Sequence, residues 1–159
     1  MPMHLVGSCR CGTVRFAVDS HTPYPYQLCY CSICRKTAGG GGFAINLGAV
    51  ATTLRTTAKV PTAIYHAVID GERSNAERHF CPRCGSALWL YDSRWPELVH
   101  PFASAIDSAL PRPPSRVHLM LGSKADWVEP AIGPDDLSFD EYPGQSIEEW
   151  HRSRGLWID

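Results

Sequence analysis

The chain lacks any run of about 18 apolar residues, so it carries no candidate membrane-spanning helix, and Met1 to Cys9 show neither the basic nor the apolar region of a secretory leader. It also lacks an excess of either charge. Fifteen Lys and Arg stand against 16 Asp and Glu, a formal net charge of −1, so no bulk field draws nucleic acid or an anionic bilayer. No internal repeat and no composition shift marks a second domain. The expectation is a cytoplasmic protein with no nucleic-acid or membrane partner, folded as a single domain over residues 1–159. With 44% apolar residues the chain can bury a core without cross-links throughout. An eighth cysteine is missing too: seven is an odd count, and in a reducing compartment it argues for metal or catalytic thiols over a disulfide framework.

What is present is the grouping of those seven. Cys29, Cys31 and Cys34 place three thiols within one short stretch, Cys29-Tyr30-Cys31-Ser32-Ile33-Cys34-Arg35-Lys36. A disulfide would use two sulfurs and leave the third without a role, whereas zinc is held by three or four thiolates at about 2.3 Å in tetrahedral geometry. Three ligands leave a fourth position open, which separates a working zinc site from one that only holds a fold. Two further pairs, Cys9-Arg10-Cys11-Gly12 and Cys81-Pro82-Arg83-Cys84-Gly85, each present two sulfurs from one turn. Joined, they complete a four-thiolate site that would tie an early strand to a distant hairpin, and closing so long a loop restricts the unfolded chain. The competing arrangement pairs Cys31 and Cys34 with Cys81 and Cys84 as a zinc ribbon and strands the other three; the long interval between those pairs exceeds usual ribbon spacing.

Around these motifs the pattern is mainly β. Residues 1–8 read as a lead-in, and Thr13 to Val18 alternate apolar with polar as a half-buried strand does. Gly12, after the second cysteine, permits backbone conformations that aim amide N–H groups at sulfur. The four glycines Gly39 to Gly42 read either as a linker or as a loop bare of side chains beside the open metal position, where a substrate backbone could approach; Phe43 to Leu47 follow as a strand. Thr62 to Ile69 and Ala76 to Phe80, joined through Asp70-Gly71, give a hairpin signal. Strands are expected again within Ser86 to Tyr91, Glu97 to Ala105 and Val117 to Leu121. Ser146 and Glu149 form a capping-box pattern that starts a short C-terminal helix.

In their order, Gly7-Ser8-Cys9-Arg10-Cys11-Gly12, the Cys29 to Lys36 stretch and Phe80-Cys81-Pro82-Arg83-Cys84-Gly85 resemble the glutathione-dependent formaldehyde-activating family, which includes centromere protein V. The likeness extends to His118 and Trp127 and covers roughly residues 5–143, leaving 144–159 as a helical extension. It implies a β-tent of coiled antiparallel sheets, a structural zinc on Cys9, Cys11, Cys81 and Cys84, and a catalytic zinc on Cys29, Cys31 and Cys34. It further implies condensation of glutathione with formaldehyde to S-hydroxymethylglutathione, a carbon–sulfur lyase reaction in reverse, with glutathione as co-substrate and a small aldehyde as partner.

A thiol on the second zinc would lose its proton well below its free value of about 8.5. Arg35 and Lys36 could offset the added charge or hold a substrate carboxylate, or be two solvated cations. Ser32 and Thr37 read as caps of backbone groups more readily than as donors to sulfur. His66, His79, His100 and His118 are possible proton carriers, though a strand histidine is usually structural. Trp89, Tyr91, Trp95, Phe102 and Trp127 could wall a pocket or build core. Two rival functions stand beside catalysis: a zinc-stabilised binding module and a thiol redox protein.

Overall fold

The structure, a computed structural model, describes residues 1–159. In chain order its strands are β1 (Met3–Ser8), β2 (Val14–Ser20), β3 (Gln27–Cys29), β4 (Ala44–Ile45), β5 (Ala49–Val50), β6 (Arg55–Ala58), β7 (Ala63–Tyr65), β8 (Val68–Ile69), β9 (Glu72–Arg73), β10 (Glu77–Phe80), β11 (Ala87–Tyr91), β12 (Leu98–Pro101), β13 (Val117–Leu119) and β14 (Leu137–Ser138). Two helices, α1 (Ser32–Ala38) and α2 (Ile147–Ser153), complete it. The strands form a three-stranded sheet β1-β2-β6, a five-stranded sheet β5-β12-β11-β10-β7, a four-stranded sheet β14-β13-β3-β4 and the β8-β9 hairpin. Pairing is antiparallel except for β13, which runs parallel to both β3 and β14.

The main core lies between the first two sheets. Leu5, Val14, Phe16 and Val18 face Leu88, Trp89 and Val99, and Phe16 meets Trp89 edge to face at 5.1 Å. Each such side chain contributes roughly 1.5–3 kcal/mol by leaving water. Cys9 and Cys81 sit in this same cluster, so the four-cysteine turns close one end of the core.

The N-terminal residues, expected as a lead-in, form β1. Gly7 lies inside this strand: an added Cβ there would lie 2.6 Å from the Ala105 carbonyl oxygen, so the close approach of neighbouring chain requires glycine. The Asp70-Gly71 turn does join β8 to β9, with positive φ at both residues (52° and 82°), as a tight hairpin needs. The capping box of α2 is present in full: Glu149 N–H donates to Ser146 Oγ at 3.1 Å, and Ser146 N–H to Glu149 Oε2 at 2.7 Å.

The C-terminal segment is a strap fixed at two points. The Trp150 ring stacks on Tyr26, centroids 3.8 Å apart, and Trp157 stacks on His21 at 4.6 Å, where the Ile158 N–H also donates to the His21 carbonyl at 3.0 Å. Both anchors lie in the connection between β2 and β3, and the residues that precede Trp150, Tyr142 to Ile147, line a cavity.

Candidate metal centres

Cys9 and Cys11 occupy the turn between β1 and β2; Cys81 and Cys84 occupy the knuckle between β10 and β11. Glycines at φ +78° (Gly12) and +75° (Gly85) let each turn fold back, with Gly12 N–H on the Cys9 carbonyl at 3.1 Å and Gly85 N–H on that of Cys81 at 2.8 Å. The amide aimed at sulfur is the Val14 N–H, 3.2 Å from Cys9 Sγ. All four Sγ atoms lie within 4.8 Å of one another, with Cys9–Cys11 at 3.6 Å and Cys11–Cys81 at 3.8 Å. A tetrahedron with metal–sulfur bonds of about 2.3 Å has edges of roughly 3.8 Å, so the donor set fits zinc. The Ser86 hydroxyl, 3.2 Å away, holds the Cys84 thiol down at about 5, and Thr13 lowers that of Cys11; burial pushes Cys81 up to about 11.

Cys29, Cys31 and Cys34 form the second cluster, again with all three sulfurs within 4.8 Å. Cys29 ends β3, Cys31 is the N-cap of α1 and Cys34 lies in its first turn. The helix carries no ordinary cap signal in the sequence, because its cap is a sulfur: Cys31 has extended backbone (φ −63°, ψ 156°) and its Sγ accepts the Cys34 N–H at 3.3 Å, as a serine oxygen would. Among themselves the three thiols share charge unevenly. Hydrogen bonds from the Cys29 and Cys34 thiols draw Cys31 down to about 2, while Cys29 is raised by donating to its neighbours. No fourth His, Cys, Asp or Glu joins the three.

The triad opens into a cavity of about 740 Å³. Arg78, on β10, points its Nη2 at Cys34 Sγ from 3.8 Å and its Nη1 at Thr37 Oγ1 from 3.3 Å, with no carboxylate within ion-pair distance. Arg94 also lines the cavity but is matched by Asp92, whose carboxylate it grips at 2.6–3.1 Å. The Asn46 amide reaches Cys34 Sγ at 4.0 Å and leaves its buried Oδ1 without a partner. The far wall belongs to the strap: Tyr142 and Ile147 bound its contribution.

Arg35 and Lys36 do not line this cavity. They lie in the last turn of α1, where cations complement the helix dipole. The glycine run is likewise outside it; Gly39 and Gly42 make room for Phe43 and for Val128, so the loop is shaped by its own packing and not by an approaching substrate backbone. Thr37 donates to the Ile33 carbonyl at 2.6 Å, and exposed Ser32 makes no bond to sulfur. His118 is buried, between Tyr30 Oη (2.8 Å) and Asp136 (2.9 Å), and props the Cys29-Tyr30-Cys31 segment from behind. His66 and His79 bond within their hairpin, to the Ser74 carbonyl and to Thr62 and Glu77. His100 lines the cavity, bonded to the Leu47 carbonyl. Of the aromatics, Trp89 and Phe102 are core, Trp95 lines the cavity and Trp127 is exposed.

Fold and clusters together define a mainly β protein built around two groups of thiols able to hold metal ions. Residues 4–120 match the family described as glutathione-dependent formaldehyde-activating enzyme, and the chain belongs to that family. It is 64% identical over 154 residues, 97% of this chain and 98% of the other, to a protein of Halomonas elongata named "Putative glutathione-dependent formaldehyde-activating enzyme". A crystal structure of a Rhodobacter sphaeroides protein shares the fold, with a TM-score of 0.53 at 24% identity over 69% of this chain and 92% of that one.

Proposed function

We propose that the whole chain is one zinc-binding domain, with a core over residues 5–143 and an extension over 144–159. In this reading Cys9, Cys11, Cys81 and Cys84 hold a structural zinc, and Cys29, Cys31 and Cys34 hold a second at which a thiol is presented to an aldehyde. The reaction is glutathione with formaldehyde giving S-hydroxymethylglutathione, a carbon–sulfur lyase reaction in reverse, carried out in the cytoplasm. No helix is long and apolar enough to cross a membrane. The observation that carries the reading is the contrast between the clusters: four sulfurs close on themselves, whereas three form one wall of a large cavity.

A zinc ion on the triad would supply an open position and lower the proton affinity of a thiol placed there. The reaction is redox-neutral. The sulfur electron pair forms the bond to carbon, the carbonyl π pair moves onto oxygen, and the proton lost by the thiol ends on that oxygen. Arg78 takes the role first assigned to Arg35 and Lys36: its remaining guanidinium donors offset the sulfur charge and hold a substrate carboxylate. Asn46 keeps Cys34 oriented. The lack of a fourth protein ligand favours this reading over a binding module.

The test is zinc per chain on protein purified under reducing conditions, together with glutathione-dependent loss of formaldehyde. Two zincs, falling to one in Cys31→Ala with loss of turnover, support the proposal. One zinc throughout and no turnover sink it.

A further inference from the structure

Beside the triad cavity lies a second one of about 520 Å³, and Trp95, His100, Tyr142, Ser146 and Ile147 line both. Beyond those five shared residues its surface is mostly apolar, with Val50, Leu98 and Trp157. The one charged side chain in its lining, Glu148, belongs to a surface ion pair. Glu148 is taken by Arg152 at 2.6 Å, and Arg152 in turn lies over Trp157 at 3.7 Å; the Nδ1 atoms of His21 and His100 bond to the carbonyls of Ile158 and Leu47. The chamber is also built. Gly48 lets Ile147 close in, since a Cβ there would stand 3.3 Å from the Ile147 methyl, and both Ser20 and Thr22 hydroxyls fix the Gly48 carbonyl. Trp157, held against His21 by both stacking and the Ile158 bond, supplies one side. Tyr142, Ser146, Ile147 and Trp157 all lie beyond residue 120, where the family match ends.

Formaldehyde, with two heavy atoms, has no group to place in such a space. We infer that this chamber takes an uncharged apolar group carried by the substrate, so that the protein joins its thiol to alkyl or aryl aldehydes as well as to formaldehyde. The inference rests on the reading of the triad as the thiol site. The bond changes are those of the smaller aldehyde: carbon–sulfur forms, the carbonyl pair goes to oxygen, and the thiol proton follows it. Only the group on carbon differs, and removing it from water supplies the preference.

Two measurements on the zinc-loaded protein test this. Benzyl alcohol, which cannot react with a thiol, is titrated while the indole N–H signals of the tryptophans are followed by NMR, with Trp95→Phe and Trp157→Phe giving the assignments. The expected result is movement of the Trp95 and Trp157 signals with those of Trp89 and Trp150 unmoved. Unmoved Trp95 and Trp157 signals up to the solubility limit overturn the chamber, even where formaldehyde is turned over. Rates with hexanal and with formaldehyde, each with glutathione, are then compared in the parent and in Leu98→Glu, with Val50→Glu repeating the test from the paired strand. The hexanal-to-formaldehyde ratio of kcat/KM should fall about tenfold or more once an unpaired charge faces the chamber. A formaldehyde-active protein inert to hexanal, or a ratio unchanged in both variants, overturns the aldehyde assignment. Shifted indoles with neither aldehyde consumed overturn the thiol reading and leave a site for an apolar ligand.

Discussion

The Trp150 ring lies on that of Tyr26 with the two planes 12° from parallel, and Tyr26 stands immediately before β3, the strand that ends in Cys29. The strap that walls the triad cavity is thus fastened beside the strand that supplies Cys29, the first thiol of the triad.

Trp150→Ala removes a fully buried ring and should cost about 3–5 kcal/mol, a large part of an ordinary domain's stability of about 5–15 kcal/mol. Urea denaturation measures it. Trp150→Phe should recover most of the loss, because the indole Nε1 is buried without an acceptor and its removal leaves no partner unpaired. A loss in Trp150→Ala below about 1 kcal/mol would mean that the strap is not fastened there.

Removing a sulfur should have opposite consequences at the two clusters. Cys81→Ala opens the core at its closed end and should give aggregated or unfolded protein with neither metal retained. Cys31→Ala should stay folded with one zinc fewer. Elemental analysis combined with circular dichroism checks both, and equal damage from the two would count against dividing the sites into structural and catalytic.

Arg78→Gln should raise KM for glutathione by roughly tenfold to a hundredfold, the equivalent of a charge-assisted hydrogen bond of about 1.5–3 kcal/mol. Arg35→Gln and Lys36→Gln should shift it less than about threefold. Steady-state kinetics at fixed formaldehyde decide. A larger effect at Arg35 than at Arg78 would return the carboxylate contact to the helix.

The Asp136 carboxyl is buried, which by itself would raise its pKa. The Gly133 N–H, His118 and the Arg116 N–H outweigh that and hold it near 2. Its folded value thus lies below the unfolded value of about 3.9, so the stability it contributes is fully present above that value and is lost as pH falls through the window from about 4 to 2. Denaturation midpoints taken across this range should drop in the parent and drop less steeply in Asp136→Asn. Parallel curves would remove Asp136 from the acid response.

Legibility followed the range of the interactions. The Asp70-Gly71 turn, the α2 capping box and both cysteine knuckles depend on residues a few positions apart, and their sequence patterns named them correctly. Helix α1 depends on a local interaction too, but with sulfur standing in for the usual oxygen at the cap, the familiar signal was absent. Arg78 could not be told from any other strand cation, since what distinguishes it is a cavity assembled from β3, β10 and the strap. The place of Gly7 inside β1 is set at a distance in the same way, its need for no side chain coming from Phe16 and Ala105. Arg35 and Lys36 drew attention by adjacency to Cys34, but a helix turns successive side chains to different faces.

Cys31 belongs to both the thiol cluster and the start of α1, its one sulfur facing the other two thiols and the Cys34 amide. Whatever befalls that sulfur, whether loading, oxidation or alkylation, is therefore registered by the backbone, and the Cys34 amide resonance should serve as a built-in gauge of the state of the site.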